Sequence, residues 1–256
     1  MQKLSITTAW NETLVFVKRE AGLLFPIAFG LMALPMVFLQ LLAPRSAPGQ
    51  EPEAGLWMLL IFPLMFLSVI ASVAISALAT GRETVVGEAL KRGVRRFLPL
   101  LGGMLLIGFC VMAMVLVLVV VAQASRTVGV SLGVVVVIGA ILLWVRLMLM
   151  TPVAAAEAGG PIALIKRSLG LTSGHTGKLL GFVILIFILG MVAGLALVTV
   201  GGILIHLLAG KPEPGSIGLL LVLLLSALLN TVFLVFFTVL VARIYAQLAG
   251  QPTSGT

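Results

Sequence analysis

The chain has 256 residues, 61% of them apolar and only 9% charged, with a formal net charge of +8 and a mean hydropathy of +1.27. Soluble domains typically carry about 25% charged residues, so a water-soluble globule is excluded and most of this surface must face lipid. The basic surplus gathers at the ends of apolar runs and covers no nucleic-acid-binding face, a placement that suits anionic lipid headgroups.

The first residues carry Glu12, Lys18, Arg19 and Glu20. The apolar run that follows is about 20 residues, longer than the roughly 7–15 of a signal-peptide core, and reads as a retained first span. Six candidate spans lie at about 23–43, 57–79, 98–122, 131–153, 179–208 and 217–242. Each exceeds the approximately 20 residues that cross the hydrocarbon. The predicted fold is therefore all-α, a polytopic bundle of six transmembrane helices forming a single membrane domain over 1–256. In the long fifth run, Gly201-Gly202 predicts a break or bend.

The basic residues fix an orientation. Lys3, Lys18, Arg19, Arg82, Lys91, Arg92, Arg95, Arg96, Lys166, Arg167, Lys178 and Arg243 fall on one side, against Arg45, Arg126 and Lys211 on the other. The positive-inside rule places the richer side, with both termini, in the cytoplasm of a bacterial inner membrane. The outer loops are expected to be short, about 13, 8 and 8 residues.

The cytoplasmic gaps are long enough for helices lying on the membrane. In 82–97, Val86, Leu90, Val94 and Phe97 share one face, and Glu88, Lys91, Arg92, Arg95 and Arg96 take the other. Thr80-Gly-Arg-Glu83 has the spacing of a capping box. The pattern predicts a basic interfacial helix with its apolar face in the acyl boundary. A second such helix is expected over 5–20, with Ile6, Trp10, Leu14 and Val17 on one face. A third is expected over 160–172, with Pro161 at its start. The rhythm of interfacial helix, span, span then repeats three times at intervals of about 75 and 81 residues.

Arg146 is the costliest residue, lying six positions from Pro152, or about 9 Å along a helix. A charge inside a span marks either a ligand site or a side chain that snorkels to the inner interface, here with Glu157 as the candidate partner. Asn230, beside Thr231, either lines a polar path or bonds a neighbouring helix. Ser68, Ser72 and Ser76, with Ala71 and Ala79, and the Gly190/Gly194 pair are small-residue seams for helix packing within a monomer or between protomers.

Two fragments look enzyme-like. Gly129-Val-Ser131-Leu-Gly133 matches GxSxG and shares the outer leaflet with His206, the pairing of an intramembrane serine hydrolase. A nucleophile elbow, however, needs a strand-to-helix turn. Gly177-Lys178 resembles a P-loop tail, but Thr172 and Leu179 stand where Gly and Ser or Thr are needed. The single cysteine, Cys110, lies in an apolar run, and no metal or cofactor is expected.

The stretch from Trp144 through Arg146, Pro152, Glu157, Gly160, Pro161, Arg167, Ser168, Leu171, Thr172 and Gly174 to Gly181 resembles the membrane domain attached to some bacterial glycerophosphodiester phosphodiesterases and its stand-alone relatives. Those share an Arg in a span, a Pro at its end, Glu-x-x-Gly-Pro, and an Ala-x-x-Arg-Ser-x-x-Leu-Thr-x-Gly stretch. Leu169 and Gly177 replace aromatic residues usual in that family. The resemblance implies a six-span domain whose fused relatives keep their chemistry in a separate soluble barrel. Such a barrel needs roughly 250 residues, for which Thr256 leaves no room, and the sequence has no Asp for an acidic metal set.

The expected function is thus a non-enzymatic inner-membrane protein, lipid-interacting or scaffolding. Anionic headgroups would sit at Lys91, Arg92, Arg95, Arg96, Lys166, Arg167 and Lys178, and no nucleic acid is involved. A homo-oligomer or a membrane-protein partner is compatible with the small-residue seams. The alternative is a small-molecule or lipid transporter using Arg146 and Asn230, and a remote one is a hydrolase using Ser131 and His206.

Overall fold

A computed structural model describes residues 4–42, 55–211, 213 and 215–250. Lys3, Arg45 and nearly all of the expected 44–56 loop lie outside them.

Among the described residues the protein is a helical bundle without strands. Helix α1, Ile6–Arg19, is capped by Ser5, whose hydroxyl accepts the Thr8 N–H at 3.3 Å. Helix α2, Ala21–Leu42, contains a π-helical turn at Phe29–Ala33. Pro35 follows that turn and has no N–H to give, so the wider turn absorbs the missing bond. A 3₁₀ turn, Leu56–Leu60, leads into α3, Ile61–Ala79. Next come α4, Val86–Ala124, and α5, Arg126–Leu147. The short α6, Met150–Ala156, and α7, Pro161–Thr172, precede α8, Thr176–Ala209, and α9, Ile217–Leu248.

Six of these segments are long and apolar enough to cross a membrane, with α5 and α6 together making the fourth. Their apolar side chains lie open. Phe109 is 76% exposed, Leu195 68% and Leu208 88%. A soluble monomer does not leave so large an apolar belt in water, so the chain is a multi-pass membrane protein.

The packed core sits toward one end of the bundle. Its centre is the second half of α3, where Val69–Ala71 and Val73–Ala79 are all buried. Around it gather Leu100 of α4, Leu149 and Val153 at α6, Leu164 of α7 and Leu240, Ile244 and Tyr245 of α9. Aromatic edges tie α1 in, with Trp10 4.7 Å from the Phe236 ring. Ser5 N donates to Gln247 Oε1 at 3.3 Å, so the start of the first described helix lies beside the end of the last.

Several expectations are corrected. The basic segment 82–97 is not a separate interfacial helix, because α4 begins at Val86 and runs unbroken through Pro99 into the third span. Its buried face is Ala89, Gly93 and Leu100, while Val94 is 54% exposed. At Gly93 an added Cβ would lie 2.6 Å from the Ile70 carbonyl oxygen, so α4 rests on α3 where lipid was expected. Thr80 does not open a capping box. It closes α3, its hydroxyl bonding Ser76 O at 2.9 Å, while Gly81 at φ 68° and the Arg82 N–H to Ala77 O complete a C-terminal cap.

The second outer loop shrinks from about 8 residues to Ser125 alone, in extended conformation between α4 and α5. Gly129 makes that hairpin feasible, since its Cβ would meet Ala122 at 2.5 Å. Gly201-Gly202 does not break α8, whose helical bonds continue to Ala209. Gly201 instead admits the Leu225 side chain, which a Cβ would meet at 2.3 Å. Of the other glycine pair, Gly190 faces Phe233 within the monomer and Gly194 meets nothing. Helices α1 and α7 hold the expected places near 5–20 and 160–172, although α1 buries Ala9, Thr13 and Phe16 and leaves Leu14 36% exposed.

Candidate functional site

The residues of the 144–181 motif meet at the packed end of the bundle, and local chemistry explains how. Pro152 removes one helical N–H and crowds the carbonyl four residues back. The fourth span accordingly breaks at Met148-Leu149, between α5 and α6. The break frees the Arg146 carbonyl, which accepts the Ser168 hydroxyl at 2.7 Å and the Thr172 hydroxyl at 3.4 Å. The Arg146 guanidinium donates in turn to Leu169 O at 3.0 Å, leaving its buried Nε without a partner. Helix α7 is thus stapled into the break.

Gly160 and Pro161 start α7, with Gly160 at the N-cap and Pro161 in the first turn. Leu171 packs partly buried against the core, and Gly174, at φ 81°, turns the chain from α7 into α8.

The expected Arg146–Glu157 pair is absent. Glu157 accepts from Arg167 Nε at 2.9 Å and from the Tyr245 hydroxyl at 2.9 Å. Tyr245 is fully buried, and sequence reasoning missed it because its partner lies 88 positions away. Arg92, placed on the solvent arc by periodicity, turns inward to Glu83 and to Ala155 O at 3.1 Å. Lys91 holds Glu88 at 2.8 Å.

These pairs consume carboxylates and leave cations over. Arg95, Lys166 and Lys178 are exposed, Arg96 is half-buried, and none has a hydrogen bond or ion pair among the described residues. Lys18 and Arg82 at the same end are likewise unpaired. The expected headgroup set therefore divides into Arg95, Arg96, Lys166 and Lys178, which are free, and Lys91, Arg92 and Arg167, which are engaged.

Hollows at membrane level lie apart from this end cluster, and two of them matter to the expected sites. One, of about 810 Å³, opens between α4, α5, α6 and α9 and is almost wholly apolar, with Met104, Met112, Met148, Met150, Trp144 and Phe237 among its walls. The other, of about 320 Å³, lies between α2, α3 and α9. Asn230 lines it together with Gln40, Ser68 and Ser226. Arg146 borders neither, so the structure does not bring Arg146 and Asn230 together. Ser131 and His206 are both exposed and make no hydrogen bond to each other.

The chain belongs to the family described as Domain of unknown function (DUF7847), whose model matches residues 5–248. No curated protein and no solved structure matches it.

Proposed function

We propose that this DUF7847 member is a lipid-interacting or scaffolding protein of the bacterial inner membrane, with no catalysis of its own and with its basic end against anionic headgroups of the cytoplasmic leaflet. One observation carries the reading. Among the described residues Arg95, Arg96, Lys166 and Lys178 stay outside every ion pair, while Glu20, Glu83, Glu88 and Glu157 at the same end are already engaged. Each cation near an anionic surface contributes about 1 kcal/mol, and four together contribute about 4 kcal/mol, enough to retain particular lipids through purification. The apolar hollow beside α4 and α5 offers room for acyl chains, and its methionines adapt to irregular ones. The likeness of the 144–181 motif to membrane domains of glycerophosphodiester phosphodiesterases fits a lipid setting.

The test replaces Arg95, Arg96, Lys166 and Lys178 with Gln, verifies insertion, and compares co-purified anionic lipid by mass spectrometry. Charge-dependent loss is the expected result. An unchanged lipid complement in a correctly inserted variant would leave these charges with topology as their sole role.

A further inference from the structure

Arg243 stands out in the last turns of α9. The residue is 5% exposed, yet none of its nitrogens has a hydrogen bond or ion pair among the described residues. Its guanidinium lies 4.7 Å from the Phe16 ring centroid, and the Arg19 guanidinium lies 5.8 Å from the same ring. The ring offers a favourable face to a cation but satisfies none of the five N–H donors. A buried cation with idle donors is costly unless something accepts from them. Glu12 opposes its charge, but it lies beyond ion-pair reach, and its own buried Oε2 has no partner.

Beside Arg243 is a pocket of about 140 Å³. A water needs about 10–15 Å³ of such volume, so an oxyanion with some of its waters fits. Arg19, Arg243 and Phe16 form one side of the pocket. Two carboxylates also border it, Glu20 and Glu83, but Arg19 holds the first and Arg92 the second, which leaves Arg243 with no opposing carboxylate within ion-pair reach among the described residues. Leu23, Leu24 and Leu78 also line it. Leu23 is 40% exposed at the start of the first span, so the lining reaches the surface where a bilayer's hydrocarbon begins.

A lining that holds both guanidinium groups and leucines at a membrane boundary matches one chemistry, a phosphate ester carrying an acyl chain. We infer that the pocket between α1, α2, α3 and α9 binds the phosphate of a phospholipid, with Arg243 and Arg19 donating to its oxygens and Leu23 against the first chain carbons. The guanidinium fork suits phosphate oxygens. The residues are separate from those of the basic surface on α4, α7 and α8, so this site goes beyond that reading.

The experiment uses the full chain, delipidated in detergent. It is titrated with dihexanoyl-phosphatidylglycerol below its micellar concentration and, separately, with inorganic phosphate. Binding is read by native mass spectrometry and by the shift in Tm. The lipid is expected to bind at least about tenfold more tightly than inorganic phosphate. Arg243→Gln is expected to weaken lipid binding about tenfold or more. Arg19→Gln, at a side chain 54% exposed and so without threat to folding, is expected to weaken it about threefold or more. The Gln quadruple at Arg95, Arg96, Lys166 and Lys178 is expected to stay within twofold of wild type. Equal affinity for inorganic phosphate would overturn the lipid assignment. Wild-type binding by Arg19→Gln would overturn the site even if Arg243→Gln fails to fold. Loss in the quadruple alone would favour the surface reading and sink this one.

Discussion

Replacing Gly93 with Ala isolates the contact that seats α4 on α3. The new Cβ would lie 2.6 Å from Ile70 O and 2.9 Å from Ile70 Cγ2. Comfortable separations are about 3.5–4.0 Å, so the deficit is roughly 1 Å. Ile70 O is helical backbone and cannot rotate away, so the two helices must part. Overpacking of this kind costs roughly 1–3 kcal/mol, and a gap of 0.5–1 Å forfeits about a quarter to a half of each dispersion contact along the seam. The upper end of that range applies here, because the seam runs beside the most deeply buried stretch of the bundle. Against it stands the helix propensity of Ala, better than Gly by about 1 kcal/mol. The net expectation is a loss of about 2 kcal/mol. Gly108→Ala is the matched control on the same helix, since its Cβ meets nothing within 4 Å and it should gain up to about 1 kcal/mol. Equilibrium unfolding by SDS in mixed micelles, followed by near-ultraviolet circular dichroism, compares the two. If the two variants unfold alike, the basic segment of α4 is not seated on α3 and the arrangement of Arg92 and Arg95 built on it fails.

Two further outcomes are expected. Ser168→Ala removes the 2.7 Å bond to the Arg146 carbonyl and leaves only the 3.4 Å Thr172 contact, which should cost about 1–2 kcal/mol in the same unfolding assay; an unaltered midpoint would show that this bond does not hold α7 in place. In a Cys110→Ser background, a cysteine at Lys91 should react with a membrane-impermeant maleimide only after the inner membrane is opened, whereas one at Lys211 should react from the periplasm, and the reverse pattern would invert the topology.

The spans were legible because hydrocarbon imposes a length and a composition that no tertiary detail overrides. The boundaries of the amphipathic segments were less so. A helix lying on the membrane and the same helix continuing into a span share one periodicity, and Pro99 interrupts neither. Thr80 and Gly81 carry residue types that serve either helix end, and only the Arg82 N–H to Ala77 O bond decides for the C-terminus. Gly201-Gly202 stayed helical because lipid offers no competing partner for a freed backbone group. The partners of the charged residues were beyond sequence reach. Arg92 meets Ala155 across 63 positions, and Glu157 meets Tyr245 across 88. Arg146 stands out in the sequence by its charge, but its carbonyl, as much as its guanidinium, organises the local structure.

The adjacency of α1 and α9 constrains how the protein is assembled. Ala9, Thr13 and Phe16 belong to a helix made well before α9, and the surface that covers them, with Val239 and Ala242, belongs to α9. At about 5–20 residues per second, translation leaves that face of α1 uncovered for roughly 10–40 s. During this interval it must rest on the bilayer, on the insertion machinery or on a chaperone. The bundle closes only when α9 arrives, so a ribosome that stalls before α9 leaves this flank of α1 open.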